Sequence, residues 1–420
     1  MNHSTYRPVL WAFLLATLTF FAYTCVFAFR KPFSIATFGG RQLWGISYQT
    51  LLIISQVIGY MLSKFIGIRF ISSLRREKRW KIAFLLIGTA WLSMLFFALL
   101  PPVWGILCFL VNGFMMGFMW GVVFSYAEGR RSTDFIGSAL AVSFIFAGGF
   151  TRSVAKWLMT DWGVPEHWMP FATGAVFALP LALFFYLLEK VPPPDPADVE
   201  ERQQRVAMTS EDRRLIVRRF KHGLIALGLI YTLLTVMRDI RDNYMGNMWE
   251  ELGYAGQSAI FTRSETMITV VLLVMMSSIV LIRKNIRAFQ LIHGMIAAGF
   301  MLAAISSWLF FSGWLDGAIW MQSAGLGLYM AYIPFNSIFF ERMIASFRLR
   351  GNVGFLIYIT DAFGYLGSVL VMLAKESVDL DITWSQYYAR AVMGLSLIGF
   401  IGTLYALVYF SSSYRRQSDH

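Results

Sequence analysis

Residues 82–126 read IAFLLIGTAWLSMLFFALLPPVWGILCFLVNGFMMGFMWGVVFSY, 45 residues without one charge and interrupted only by the Pro101–Pro102 pair. A hydrocarbon core about 30 Å thick takes roughly 20 apolar helical residues to cross, so this stretch is two membrane spans joined by a turn at the prolines. Val9 to Phe29 adds 21 uncharged residues, one further span. That block is too long for the apolar region of a signal peptide, and no small-residue cleavage site follows it, so it is expected to stay as a helix. A length of 420 would otherwise suggest two or three soluble domains, but 57% hydrophobic, 17% aromatic and only 14% charged residues place the chain outside the soluble range.

Apolar blocks, read against charge clusters and Gly/Pro breaks, place spans at residues 9–30, 47–68, 82–100, 104–126, 136–158 and 169–188. A second six fall at 223–246, 259–282, 288–311, 315–340, 352–374 and 387–411. Between the sixes, Glu189 to Lys221 holds Pro192, Pro193, Pro194 and Pro196 followed by mixed charges, which cannot cross a bilayer. The expected fold is an all-α membrane protein of twelve transmembrane helices in two pseudo-symmetric six-helix halves. Residues 1–188 form the first half, 189–221 a linker and 222–420 the second half. Thr209 and Asp212 have capping-box spacing ahead of RRLIVRRF, which predicts a short helix lying along the membrane surface within the linker.

The formal charge of +12 sits in short clusters between spans, which is topology information and not the footprint of a nucleic-acid binder. Arg69, Arg75, Arg76, Lys78, Arg79 and Lys81 follow span two, and Arg130 and Arg131 follow span four. Arg283, Lys284 and Arg287 follow span eight, and Arg342, Arg348 and Arg350 follow span ten. The alternate loops are short or acidic, so the positive-inside rule puts both termini and the linker in the cytoplasm. With Asn2 as the one glycosylation sequon, and cytoplasmic in this topology, the simplest address is a bacterial inner membrane, in which the protein is multi-pass and expected to be a monomer. Cys25 and Cys108 lie in separate spans and form no disulfide framework.

Charges within spans are expensive, about 2.5 to 3.5 kcal/mol each at the bilayer centre on insertion scales, and they usually face a cavity or one another. Arg30 and Lys31 end span one on the outer side, against the positive-inside rule, either as a snorkelling helix end or on a helix that Pro32 to Gly40 carries onward. Span seven holds Arg238, Asp239, Arg241 and Asp242 within five residues. Arg238 and Asp242, four apart, share a helix face and are expected to pair, while Arg238 and Arg241, three apart, can present a basic surface to an anion. Guanidinium suits phosphate or carboxylate because its planar donors engage two oxygens at once. Arg152 in span five and Lys64 in span two either reach an interface or line a site. Glu265 and Asp361 are the complementary acids; Asp361 lies too deep to snorkel and is either a structural partner for an arginine or a protonatable coupling group.

Trp120, Trp320 and Tyr329 read as packing residues, His293 as interfacial, and Gly113 and Gly117 as a close helix approach. No HExxH, CxxC pair, Walker loop or GxSxG elbow occurs, so neither a catalytic residue, a metal site nor a cofactor is expected, and the chain is not read as an enzyme.

Phe29-Arg30-Lys31-Pro32-Phe33-Ser34 resembles the Arg-Lys signature on the first helix of the organophosphate:phosphate antiporters, a family of the major facilitator superfamily. Ser63-Lys64-Phe65, Met237-Arg238 with Asp242 and Trp249, and Phe363-Gly364-Tyr365-Leu366-Gly367-Ser368 are similar to further motifs of that family. The resemblance implies the major facilitator fold. It also implies that Arg30 and Arg238 form a pseudo-symmetric pair gripping a substrate phosphate, with Lys64 nearby and Glu265 at the family's helix-eight acid position. Where the family has a histidine on helix five this chain has Phe144, and Arg152, Arg241 and Asp361 are additions; the chain also resembles a divergent bacterial branch of the superfamily. The expected function is secondary active transport of a small anionic, phosphorylated solute by alternating access, with phosphate or protons as coupling species. Two other readings stay open: a transporter-like receptor for such an anion, and a proton-coupled carrier of a carboxylate.

Overall fold

Each of the twelve apolar blocks is helical in the computed structural model, which describes residues 3–72, 76–127, 130, 132–193, 210–347, 353–377 and 382–418. The first six blocks give α1 (His3–Phe27), α2 (Tyr48–Ser72), α3 (Arg79–Leu99), α4 (Pro102–Met116) with α5 (Met119–Ala127), α6 (Thr133–Thr160) and α7 (Met169–Lys190). The second six give α8 (Ser210–Glu251), α9 (Ile260–Val280), α10 (Asn285–Phe311), α11 (Gly317–Tyr332) with α12 (Phe339–Ser346), α13 (Val353–Ser377) and α14 (Trp384–Ser418). Pro102 opens α4 at the position where a missing N–H is harmless, so the two prolines make the turn that divides the long apolar stretch. Span ten breaks at the 3-10 turn Ile333–Asn336, which contains Pro334.

Among the described residues, nine helices are long and apolar enough to cross a membrane. Leu85, Leu179, Val274, Leu370 and Val408 stand on their exposed faces, as lipid-facing side chains do in a membrane helix. The surface helix expected in the linker is not a separate element. Residues 213–220 form the first turns of the 42-residue α8, and Thr209 lies outside the described residues. Phe220, on this segment, packs 4.8 Å from the Phe347 ring and 5.9 Å from that of Phe410, an apolar contact that favours continuing the helix. His293 is not interfacial: it is fully buried, with Nδ1 2.9 Å from the Phe289 carbonyl and its ring against Phe289, Phe339 and Phe410. The basic loop precedes it by two helical turns, which carries it into the packed interior.

The chain divides into two compact units. One comprises Met1–Arg202, Asp242–Thr269 and Met372–Leu380; the other comprises Gln203–Arg241, Val270–Val371 and Asp381–His420. In the first, α2 lies against α4, α1 against α6 and α3 against α4; in the second, α10 contacts α11, α12 and α14. The approach of α2 to α4 requires glycine. A Cβ on Gly113 would sit 2.0 Å from the Gln56 carbonyl oxygen, and one on Gly59 2.1 Å from that of Leu110. The obstacle in each case is backbone, which cannot swing aside, so Gly113→Ala is expected to lower stability by about 1–3 kcal/mol as overpacking does. Gly88→Ala, at a position with open space around it, is the control; equal melting temperatures for the two purified variants would refute this account of the packing.

Candidate functional site

The α-helical part of α1 ends at Phe27, where the amides of Arg30 and Lys31 both donate to the Phe27 carbonyl at 3.0 Å. Pro32 then opens a 3-10 turn, Pro32–Ile35, whose side chains are all buried. The helix is therefore not continued regularly past the two cations, and the tightened turn gives them different neighbours. The Arg30 guanidinium carbon stands 3.8 Å from the centroid of the Tyr60 ring, and Lys64 Nζ stands 4.7 Å from the same ring. Tyr60 and Lys64 are four apart on α2 and share its face. Gln56, one turn earlier, donates to the Arg30 carbonyl at 3.0 Å and to Asn112 Oδ1 at 2.9 Å, and Asn112 donates to the Phe29 carbonyl at 2.9 Å. These amides pin the backbone under Arg30. Arg30 remains half-buried, and its Nε is buried without a hydrogen-bond partner. No ion pair joins Arg30 to an acid among the described residues.

Lys31 is committed elsewhere. Its Nζ lies 3.2 Å from Asp242 Oδ2 and donates to Asn243 Oδ1 at 2.9 Å. Arg152, fully buried, lies on the same carboxylate with Nη2 3.4 Å from Asp242 Oδ1. It also donates from Nε to Ser34 Oγ at 2.9 Å and from Nη2 to the Asp242 carbonyl. Gly148 makes room for it: a Cβ there would sit 2.9 Å from Arg152 Nη1. Two cations thus converge on one buried carboxylate, which is the geometry of a structural ion-pair cluster. Glu265, also buried, packs against α6, its Cβ and Cγ 2.7 Å from where a Cβ on Gly149 would be.

In the other unit, Arg238 donates to Asp239 Oδ1 from Nε at 3.1 Å and Nη2 at 2.5 Å, and to the Tyr332 hydroxyl from Nη1 at 2.5 Å. The expected pairing of Arg238 with Asp242 is corrected: Arg238 takes its neighbour Asp239, while Asp242 is held by Lys31 and Arg152. Spacing along one helix proposes a pair, but three cations compete for two acids here and tertiary neighbours decide. The Arg238 guanidinium also lies 4.7 Å from the Tyr332 ring centroid and 5.7 Å from that of Tyr365. The Tyr332 and Tyr231 hydroxyls are 3.2 Å apart, and Tyr231 donates to Asp361 Oδ1 and, at 3.2 Å, to Asn336 Oδ1. Arg241 has contacts of its own. It is fully buried against α11, with Nη2 donating to the Met321 carbonyl at 3.2 Å and the Tyr329 ring 5.5 Å away, over Gly325, where a Cβ would meet Nη2 at 2.6 Å.

The structure therefore sorts the nine predicted charges. Arg30 and Lys64 share the Tyr60 ring, Arg238 and Asp361 are joined through Tyr332 and Tyr231, Lys31 and Arg152 converge on Asp242, and Arg241 and Glu265 are buried. Tyr60, Tyr231, Tyr332 and Asn336 join these groups without having been singled out, while Asp239 stood only among the span-seven charges and Tyr365 only within the Phe363–Ser368 stretch. For Tyr60 and Tyr231 a signal exists, four residues before Lys64 and seven before Arg238; Tyr332 arrives from another helix and leaves no trace in spacing. Among the described residues no group of three or more His, Cys, Asp or Glu side chains is arranged to hold a metal.

Solved transporter structures share this architecture over nearly the whole chain. The nucleoside transporter NupG is 17% identical with a TM-score of 0.60, covering 94% of this chain and 98% of its own. A D-xylose-proton symporter is 14% identical with a TM-score of 0.61, covering 95% and 97%. The human organic anion transporter MFSD10 is 15% identical with a TM-score of 0.52, covering 94% and 99%. Likeness at such identity establishes the fold, the multi-pass major facilitator fold, and not the solute. No curated protein matches the sequence. Residues 32–413 match the model of a family of unknown function, DUF5690, and the chain belongs to that family.

Proposed function

We propose that the protein is a secondary active transporter of a small anionic organic solute, with Arg30 as the first residue to hold the anion and Arg238 as a second candidate. The observation that carries this reading is the state of Arg30. Lys31 and Arg152 have a carboxylate between them, whereas among the described residues Arg30 is offset by the face of Tyr60 and by no acid, a cation–π contact of about 0.5 to 2 kcal/mol. Holding a guanidinium within the membrane costs about 2.5 to 3.5 kcal/mol, so a bound anion supplies what the ring does not. Lys64 on the same ring adds a second positive charge, as recognition of a phosphate or phosphonate favours. The resemblance of the Arg30, Lys64 and Arg238 segments to those of organophosphate:phosphate antiporters points the same way and makes a phosphorylated solute the first choice. Alternating access by a monomer in a bacterial inner membrane, both termini cytoplasmic, completes the proposal; the two six-helix halves, 1–188 and 222–420, are its moving parts.

A melting screen of the purified protein against inorganic phosphate, sugar phosphates, phosphonates and carboxylates tests it. Ligand at a hundred times its dissociation constant stabilises by about 2.7 kcal/mol, so a phosphorylated solute is expected to raise the melting temperature by several degrees and to drive counterflow in proteoliposomes. A carrier whose stability responds only to neutral sugars or nucleosides would refute the anion assignment.

A further inference from the structure

Two further arginines meet where α8 begins and α14 ends. Arg219, Phe220, Ser413, Arg416 and Gln417 line a cavity of about 340 Å³. Arg219 donates from Nη2 to Gln417 Oε1 at 3.2 Å, and its guanidinium carbon lies 5.3 Å from the centroid of the Phe220 ring. Gln417 is held in the accepting role, since its Nε2 donates to the Phe347 carbonyl at 3.5 Å. The Ser413 hydroxyl is committed to its own helix, donating to the Tyr409 carbonyl at 2.9 Å. Among the described residues neither arginine is ion-paired with an acid, and Arg416 has no hydrogen-bond partner. Two guanidinium groups with donors to spare, over an aromatic floor, suit a phosphate.

Depth says which phosphate. Arg219 stands four residues before Gly223, where the apolar run of α8 starts, and Arg416 six residues after Phe410, where that of α14 ends. At 1.5 Å per residue they lie about 6 and about 9 Å beyond those runs, close to the depth of the headgroup layer, which adds about 5 to 8 Å on each side of the hydrocarbon. The helices meet at this level: a Cβ on Gly223 would sit 2.6 Å from the Phe410 ring, and the Tyr409 hydroxyl donates to the Arg219 carbonyl at 3.4 Å. Toward the bilayer core, Ile225 and Leu229 of α8 and Tyr405 and Val408 of α14 are all exposed. A phosphate at the arginines thus has outward apolar surface beneath it, which fits a molecule with acyl chains and offers nothing to a free ion. Charge is complementary as well. Arg214, Arg218, Lys221 and Arg415 stand exposed at the same end, while the acids Glu211 and Asp212 on the first turn of α8 lie about two helical turns farther from the apolar run than Arg219 does.

We propose that this cavity binds the phosphate of an anionic phospholipid, held by Arg219 and Arg416, with the acyl chains along the outward faces of α8 and α14. Basic pockets between membrane helices at the headgroup level hold such lipids by this chemistry. The inference needs the membrane-spanning fold and not the solute assignment.

Full-length protein, stripped of lipid in a nonionic detergent, is titrated with phosphatidylglycerol and with phosphatidylcholine of the same chains, and bound lipid is counted by native mass spectrometry. Phosphatidylglycerol is expected to bind at least about tenfold more tightly. Arg219→Ala and Arg416→Ala are each expected to lower its affinity about fivefold, and the double variant about twenty-fivefold. Arg283→Ala, the same loss of charge at an exposed position just past α9, is expected to leave it unchanged. Both cavity arginines are exposed, so the variants are expected to melt with the wild type in lipid-free detergent. Binding indifferent to both arginines, weakened equally by Arg283→Ala, or equal for phosphatidylcholine overturns the proposal. Glycerol phosphate carries the charge without the chains and is expected to leave the lipid bound, whether or not it is a transported solute. Its displacing the lipid would show that the cavity takes free phosphate and would overturn the lipid assignment.

Discussion

Asp242→Ala is expected to produce the largest loss of stability of any single charge change in the molecule. The carboxylate lies 3.2 Å from Lys31 Nζ and 3.4 Å from Arg152 Nη2, and both cations are buried. Removing one partner of a buried ion pair typically costs about 3–5 kcal/mol because a charge is left without compensation. Here two buried cations lose the same carboxylate at once, so the upper part of that range applies. The comparison variants give the claim its sign. Lys31→Met leaves Arg152 paired with Asp242, one charge against one, and is expected to cost less. In the Asp242→Ala background the same Lys31→Met change removes one of the two cations that shared the carboxylate and is expected to restore part of the stability, a non-additivity of about the 0.5–3 kcal/mol size that coupled groups show. Melting curves of the four purified proteins decide it; an Asp242→Ala variant that melts with the wild type would show that the carboxylate is not what holds this cluster.

The helices of this protein were legible because apolar length is a one-dimensional property and the bilayer sets its threshold. The blocks at residues 82–100 and 104–126 became α3 and α4–α5, with the turn at Pro101–Pro102. What failed was whatever depends on who arrives from another helix. Arg238 and Asp242 share a face of α8, yet Arg152 from α6 and Lys31 from the turn after α1 reach Asp242. His293 follows a basic loop and reads as interfacial, yet the rings of Phe289, Phe339 and Phe410 enclose it. The linker segment RRLIVRRF is amphipathic enough for a membrane surface, but nothing between Phe220 and Leu224 stops the helix, and α8 runs on through Gly223. Charges in the spans were visible as anomalies; the aromatic residues that make Arg30 and Arg238 tolerable were not, because Tyr60, Tyr332 and Tyr365 look like ordinary membrane tyrosines until the cations are placed over them.

Arg30→Ala is expected to abolish binding of the anion while leaving the fold intact, and that combination separates it from Asp242→Ala. Arg30 has no acidic partner among the described residues and lies half-buried over Tyr60, so its loss strands no opposite charge. It removes about 0.5–2 kcal/mol of cation–π contact, offset by relief of the unbonded Nε. For an anion the consequence is larger. Charge-assisted bidentate contacts to a phosphate are about twice as strong as neutral hydrogen bonds, and removing such a donor from a desolvated site costs about 2–5 kcal/mol, a reduction in affinity of roughly thirtyfold to several thousandfold. Arg30→Lys keeps the charge but loses the planar fork, so it is expected to recover part of that affinity and to favour small anions over those gripped by two oxygens. Tyr60→Leu removes the ring that seats both Arg30 and Lys64 and is expected to weaken the anion less than Arg30→Ala does, with the cations present but no longer held. Titration calorimetry with the best ligand of the melting screen orders the three variants. Binding to Arg30→Ala with wild-type affinity would remove Arg30 from the site and leave it as a cation tolerated by an aromatic ring.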